Sequence, residues 1–248
     1  MKDDLYQSLA PGEGSFRFDR SVVEVFEDMI RRSVPGYGLT LEMIGVVARR
    51  AMRETVPTAD AAPALAYDLG CSLGASMFPI LAQTDAQVVG VDLSADMLAQ
   101  AAERLAPVYA GRYTLQQADL ASYRFAQPAQ LIVSNFTLQF LPLEQRLGLL
   151  RRAYEALLPG GILLISEKFR FPNTPEQELL TDLHHTFKAS QGYSAMEIAR
   201  KRDAIDQVLV PESVATHLDR LRSLGFAHPV CWYQCFTFGS FLAVKGDE

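Results

Sequence analysis

The sequence is short of cysteine, of basic runs and of long apolar stretches, and each shortage removes a class of protein. Its three cysteines, Cys71, Cys231 and Cys235, are an odd number with no framework spacing. That argues against a disulfide scaffold and for a reducing compartment. Cys231 and Cys235 are too few for a zinc site and read as core thiols, and no metal is expected. Lysine and arginine number 23 against 29 acidic residues, a formal charge of -6. A protein that grips nucleic acid needs cations to replace counterions on phosphates. No direct contact with nucleic acid is therefore expected, although Arg200, Lys201 and Arg202 together can meet a small anion. No uncharged apolar run reaches the roughly 18 residues of a membrane helix. The opening MKDDLYQSLAPGEG has no secretory apolar core. The expectation is a cytoplasmic protein that handles small molecules and meets no membrane.

Of the 248 residues, 49% are apolar and 21% charged, which suffices for a packed core. The domain reading is a loose arm over 1–18 and one domain over 19–248, with helical caps at about 19–53 and 174–210. Val22, Val25, Phe26, Met29 and Ile30 recur at helical spacing behind a Ser21–Glu24 capping box. Pro35, Gly36 and Gly38 end that helix, and a second covers about 39–53. Then the texture changes. Strand ALAYDL, helix 75–83, strand 87–92, helix 95–106 and strands 112–117 and 131–135 follow in turn. Helix 143–158 leads through PGG into strand 162–167. This alternation predicts an α/β fold, a doubly wound, Rossmann-like, seven-stranded and mostly parallel sheet. Residues 174–224 read as a helical insertion in about three pieces. The last two strands pair as an antiparallel hairpin with a tight turn around 237–239.

DLGCSLG, residues 68–74, lies between a strand and a helix. Gly70 turns where a side chain would clash. Cys71 and Ser72 are small enough for a ligand to approach the backbone, and Gly74 lets strand and helix pack closely. Asp92 lies 22 residues beyond Gly70 at the next strand's end, where a ribose diol would sit. The plainer alternative is that the glycines shape a turn and Asp92 caps a helix. A nicotinamide site usually carries G-x-G-x-x-G, because the helix N-terminus approaches a pyrophosphate. Ser72 in place of the second glycine favours S-adenosylmethionine, which has no phosphates. Asp119, placed to accept from an adenine amino group, and Asn135, at the end of the fourth strand, agree.

The resemblance goes further. The chain resembles carboxy-S-adenosyl-L-methionine synthases from near residue 16 onward, through FxFDRSVVEVFEDMIRRSVPGYG (16–38), YDLGCSLG (67–74), VSNFTLQFL (133–141), SEKF (166–169), HHTFK (184–188), GYSAMEI (192–198) with KR at 201–202, and WYQCFTFGS (232–240). A few extra residues around 54–65 and Leu93 depart from the family pattern. The resemblance implies a transferase that takes S-adenosyl-L-methionine and prephenate to carboxy-S-adenosyl-L-methionine and phenylpyruvate. The product would serve a separate tRNA carboxymethyltransferase that modifies wobble uridine. It also implies a homodimer. Tyr37, Gly70, Cys71, Ser72, Asp92, Leu93, Asp119, Leu120 and Asn135 would line the nucleoside site. Arg202 would hold the new carboxylate, from its own or a neighbouring subunit; read alone, it is a solvated helix face.

The chemistry implied needs a water-excluded pocket for both partners and a cation for the new acid group. His184 and His185 read first as core or surface residues. Lys168 and Tyr193 are candidates for the substrate pocket. Phe136, Leu138 and Phe140 are expected beside the cofactor, and Trp232, Phe236 and Phe238 in the core or an interface. A conventional small-molecule methyltransferase and a non-catalytic cofactor-binding partner of a tRNA-modifying enzyme are the competing functions.

Overall fold

A computed structural model describes residues 20–53, 63–206 and 208–246; the arm, the loop around 54–62 and the side chains of Ser21, Glu24, Lys201 and Arg202 lie outside the described residues. Helices α1 (Arg20–Ser33) and α2 (Tyr37–Met52) precede β1 (Leu65–Leu69), α3 (Met77–Gln83), β2 (Gln87–Asp92), α4 (Ala95–Tyr109), β3 (Tyr113–Gln117) and β4 (Ala129–Asn135). Then come α5 (Leu143–Ala156), β5 (Leu157–Lys168), α6 (Thr174–Ser190), α7 (Ala195–Asp206), α8 (Val214–Ser223), β6 (Phe226–Cys235) and β7 (Phe238–Lys245).

The strands form one sheet in the order β3-β2-β1-β4-β5-β7-β6. β1 to β5 pair in parallel, and β7 runs antiparallel to both β5 and β6. Every residue of β1 is buried, as a strand covered on both faces requires. Alternate side chains go to opposite layers. Tyr67, Leu69 and Ile132 join Leu149 and Leu150 of α5 in one core. Ala66, Leu131 and Val133 meet Ile44 and Ala48 of α2 and Ile80 of α3 in the other.

Several boundaries differ from the sequence reading, each for a local reason. α4 runs through Pro107 to Tyr109, because a ring in the last turn removes a single hydrogen bond there. β5 begins at Leu157, and its PGG segment is a bulge: Leu157 to Ile162 face only Ala129 to Leu131 on β4. The hairpin turns at residues 236–237, earlier than expected, where Phe236 itself adopts a φ of 51°. Pro229 is tolerated because β6 is an edge strand.

The strand order reverses between β1 and β4, and a crevice opens beyond their carboxyl ends. The loops after β1, β2 and β4 meet there. α1, α6 and the segment before α8 stand opposite.

Candidate functional site

That crevice is a cavity of about 840 Å³. Small-molecule pockets fall between roughly 300 and 1,000 Å³, and this one is near the upper end of that range. Nine of the ten residues singled out by sequence line it: Tyr37, Gly70, Cys71, Ser72, Asp92, Leu93, Asp119, Leu120 and Asn135. The tenth, Arg202, is on α7, and its side chain is outside the described residues.

The glycine loop is fixed by backbone. The amides of Gly70 and Cys71 both donate to the carbonyl of Val91, at 2.7 and 3.0 Å. Gly70 has a φ of 74°, and a Cβ there would lie 2.2 Å from Thr137 Cγ2 on the loop after β4. Only glycine satisfies both conditions. Ser72, where a dinucleotide loop has glycine, adopts a φ of 49°. A residue other than glycine therefore takes the left-handed turn, and the short side chain keeps its backbone open to the cavity.

Asp92 is a ligand to this loop. Its Oδ2 accepts from the amide of Ser72 and its Oδ1 from that of Ser94, both at 2.9 Å. Each oxygen keeps a second lone pair. Burial raises its pKa, and the amide hydrogen bonds from Ser94, Ser72 and Leu93 work against that rise. The helix behind it is capped by Ser94, whose hydroxyl accepts from Met97 N, so capping is not the task of Asp92. One strand back, Asp68 is 1% exposed, and burial followed by the charge of Asp92 lifts its pKa to about 8.

Asn135 donates through Nδ2 to Ser76 Oγ at 3.2 Å. Its Oδ1 is buried without a hydrogen-bond partner among the described residues. A buried acceptor left open on a cavity wall is a place for a ligand donor. Tyr37 opens α2 behind Gly36, with its ring 6.2 Å from that of Phe136. Asp119 lies beyond the end of β3, exposed, accepting from Ala121 N at 2.9 Å. Leu93, 67% exposed, and buried Leu120 flank that end of the cavity. These groups suit a nucleoside with a diol, an amino group and a planar base: two carboxylates accept, one amide oxygen accepts, and apolar side chains cover the ring.

The remaining expectations separate. Lys168 lines the cavity, whereas Tyr193 does not; it is buried beneath the guanidinium of Arg32, 3.9 Å from its ring centroid. Phe136 and Phe140 line the cavity, but Leu138 belongs to the core behind it. Phe238 is a cavity wall, packed edge-on against Phe136 and His184. Trp232 and Phe236 are half-buried, as are Cys231 and Cys235, since all four lie on the edge strand or its turn. His184 and His185, read first as structural, both face the cavity. Sequence reasoning also passed over Lys188 and Thr137, which line it. The cavity-facing HHTFK run held the only available signal for Lys188.

A methyltransferase-domain family model matches residues 66–161, the span from β1 into β5. Carboxy-S-adenosyl-L-methionine synthase from Hahella chejuensis is 45% identical over 98% of this chain and 98% of that one. The protein of the same name from Marinobacter nauticus is 46% identical over 94% of this chain and 91% of its own length. Among solved structures, magnesium protoporphyrin IX methyltransferase from Synechocystis, with bound SAH, superposes with a TM-score of 0.60 at 17% identity, covering 95% of this chain and 90% of that one. DesVI from Streptomyces venezuelae gives a TM-score of 0.60 at 15% identity, covering 93% and 100%. The structural likenesses establish a Rossmann-like methyltransferase fold, and near-full-length identity carries the assignment further: the chain belongs to the carboxy-S-adenosyl-L-methionine synthase family.

Proposed function

We propose that the protein is a transferase that converts S-adenosyl-L-methionine and prephenate to carboxy-S-adenosyl-L-methionine and phenylpyruvate. The product then supplies the carboxymethyl donor for wobble uridine modification of tRNA by a separate carboxymethyltransferase. The observation that carries this reading is one cavity that joins the residues expected around a nucleoside to a wall of aromatic rings and a basic side.

Each residue then takes a role in this reading. Asp92 accepts from the ribose diol while its other lone pairs hold the loop. Asp119 and Leu120 meet the adenine, Asn135 Oδ1 accepts a ligand donor, and Gly70 to Ser72 offer backbone at close approach. Tyr37 and Leu93 complete the lining. Phe136, Phe140 and Phe238 exclude water. Arg202, from α7 of its own or a partner subunit in a homodimer, receives the new carboxylate through two parallel hydrogen bonds. Positive sulfur acidifies the methyl group. Aromatisation of prephenate releases carbon dioxide and hydroxide. The hydroxide and a methyl proton make water, and the methyl carbon bonds to the carbon dioxide. The work is done in the cytoplasm, on small molecules alone, without a metal.

The test is product analysis. Purified protein incubated with S-adenosyl-L-methionine and prephenate is expected to yield carboxylated cofactor and phenylpyruvate by mass spectrometry, and neither when one reactant is left out. Methylated prephenate with S-adenosylhomocysteine would point instead to a conventional methyltransferase.

A further inference from the structure

Among the described residues, three that line the cavity carry a buried side-chain oxygen with no hydrogen-bond partner: Ser33, Asn135 and Thr237. Asn135 belongs to the nucleoside wall. Ser33 is the last residue of α1, and a helical serine can turn its hydroxyl back to the carbonyl four residues earlier. Thr237 stands outside any helix. It occupies the turn between β6 and β7, is 1% exposed, and its own carbonyl accepts from the amide of Phe169.

Burying a hydroxyl without a partner costs free energy. Valine has nearly the same shape and escapes that cost, so a threonine here calls for an acceptor that the folded chain does not itself provide. Phe169, Leu209, Pro211 and Phe238 line the same cavity. A parallel bridge joins Phe169 to Glu212, and the Arg170 amide donates to the Glu212 carbonyl at 3.0 Å. These ties lay the 209–212 segment along the end of β5.

Position separates the Thr237 hydroxyl from the nucleoside. Asp119, Asp92, the glycine loop and Asn135 lie at the ends of β3, β2, β1 and β4, the first four strands in sheet order. Thr237 immediately precedes β7, four strand intervals from β2, or roughly 19 Å. The methionine tail of S-adenosyl-L-methionine, fully extended, reaches roughly 10 Å beyond its ribose. A nucleoside whose diol rests on Asp92 therefore stops short of Thr237.

We infer that the tip of β5 and β7, closed by the 209–212 segment, seats the ring of the second substrate, and that the Thr237 hydroxyl donates a hydrogen bond to one of its oxygens. This rests on the proposed function and goes beyond it by naming a binding residue for the acid. Every oxygen of prephenate, in its two carboxylates, its ketone and its ring hydroxyl, accepts a hydrogen bond.

The test pairs binding with stability in Thr237→Val, which removes the hydroxyl and keeps the shape. Prephenate is titrated by calorimetry into protein saturated with sinefungin, which has no methyl to react. The variant is expected to raise the prephenate Kd about tenfold, with S-adenosyl-L-methionine affinity within about 2-fold of wild type. Its urea midpoint without ligand is expected to equal or exceed that of wild type, because an unpartnered hydroxyl has been removed. Thr237→Ser, which keeps the donor, is expected to hold prephenate within about 3-fold of wild type. An unchanged prephenate Kd in Thr237→Val, an equal loss of S-adenosyl-L-methionine affinity, or a lowered urea midpoint overturns the assignment. So does the absence of prephenate binding by wild type. Turnover reads the underlying function separately. Prephenate binding that depends on the Thr237 hydroxyl, without carboxylated product from wild type, sinks the reaction and keeps the contact; carboxylated product with the same prephenate KM in wild type and Thr237→Val does the reverse.

Discussion

One wall of the cavity is made of backbone and the other of long side chains. At the strand tips, Gly70, Cys71 and Ser72 are positioned by amide hydrogen bonds to Val91 and Asp92, within one contiguous βαβ unit. Across from them, His184 reaches the Ser33 carbonyl, and Arg32 donates to the Gln191 carbonyl at 2.8 Å across 159 residues of sequence. Behind them, Arg146 of α5, fully buried, donates to the carbonyls of Gln139, Leu141 and Val210 and pairs with Glu212 at 2.6 Å. Glu212 also binds Arg220. That cluster latches the 209–212 segment, whose Leu209 and Pro211 line the cavity, onto α5. The strand-tip wall is set by local conformation; the helical wall depends on ties between distant parts of the chain.

Breaking the latch is expected to have the largest effect. Arg146→Met leaves Glu212 short of a buried partner and should cost about 3–5 kcal/mol of stability, read by urea unfolding; a loss below about 1 kcal/mol would show the latch to be unimportant. Next is Gly70→Ala. The Cβ lies 2.2 Å from Thr137 Cγ2 in a left-handed conformation, so about 2–3 kcal/mol is expected to be lost. S-adenosyl-L-methionine affinity should fall with it; tight binding by this variant would mean that the loop has slack. Asp92→Asn should cost about 1–2 kcal/mol, because an amide cannot accept at both Ser72 N and Ser94 N and turns donors toward one of them. Titration of S-adenosyl-L-methionine checks it, with a roughly tenfold loss expected.

The last contrast is in pH dependence, where the walls differ in sign. Asp68, behind the strand-tip wall, has its pKa raised from 3.8 to about 8. It holds its proton in the folded state and loses it earlier when unfolded. Its stabilisation is complete below pH 4 and is lost as pH rises toward 8, so Asp68→Asn should flatten that decline. His184, in the helical wall, has its pKa lowered from 6.5 to about 3. Its stabilisation is complete above pH 6.5 and is lost as pH falls toward 3, so His184→Gln should flatten the acid limb. Thermal unfolding across pH 4 to 8 reads both. Identical profiles for the two variants would dissolve the distinction between the walls.

The same difference explains what could be read from sequence. Gly70, Asp92 and Asn135 announce themselves because their spacing follows from a strand, a tight turn and the next strand, and the structure brings them together in one cavity. The mostly parallel seven-stranded sheet follows from the alternation of strand and helix patterns, and the hairpin from where that alternation stops; the strand order is seen in the structure. Nothing comparable marks the helical wall. His184 and Lys188 lie in an ordinary amphipathic run, and whether they face water or a cavity is decided by where α6 docks against α1. Arg146 on α5 is fully buried, because the Val210 carbonyl and the Glu212 carboxylate reach it from 64 and 66 residues further along the chain.

The placing of β7 between β5 and β6 constrains how the molecule is born. β6 pairs with β7 alone, so a nascent chain that has just released β6 presents it with both edges vacant. The gap is filled by the later strand, which also brings Phe238 to the cavity and leaves the Tyr233 hydroxyl donating to the Pro35 carbonyl at 3.4 Å. Synthesis of the final strand and completion of the pocket are thus one event, and a ribosome-stalled fragment ending before Phe238 is unfinished as a catalyst and sticky as a polymer.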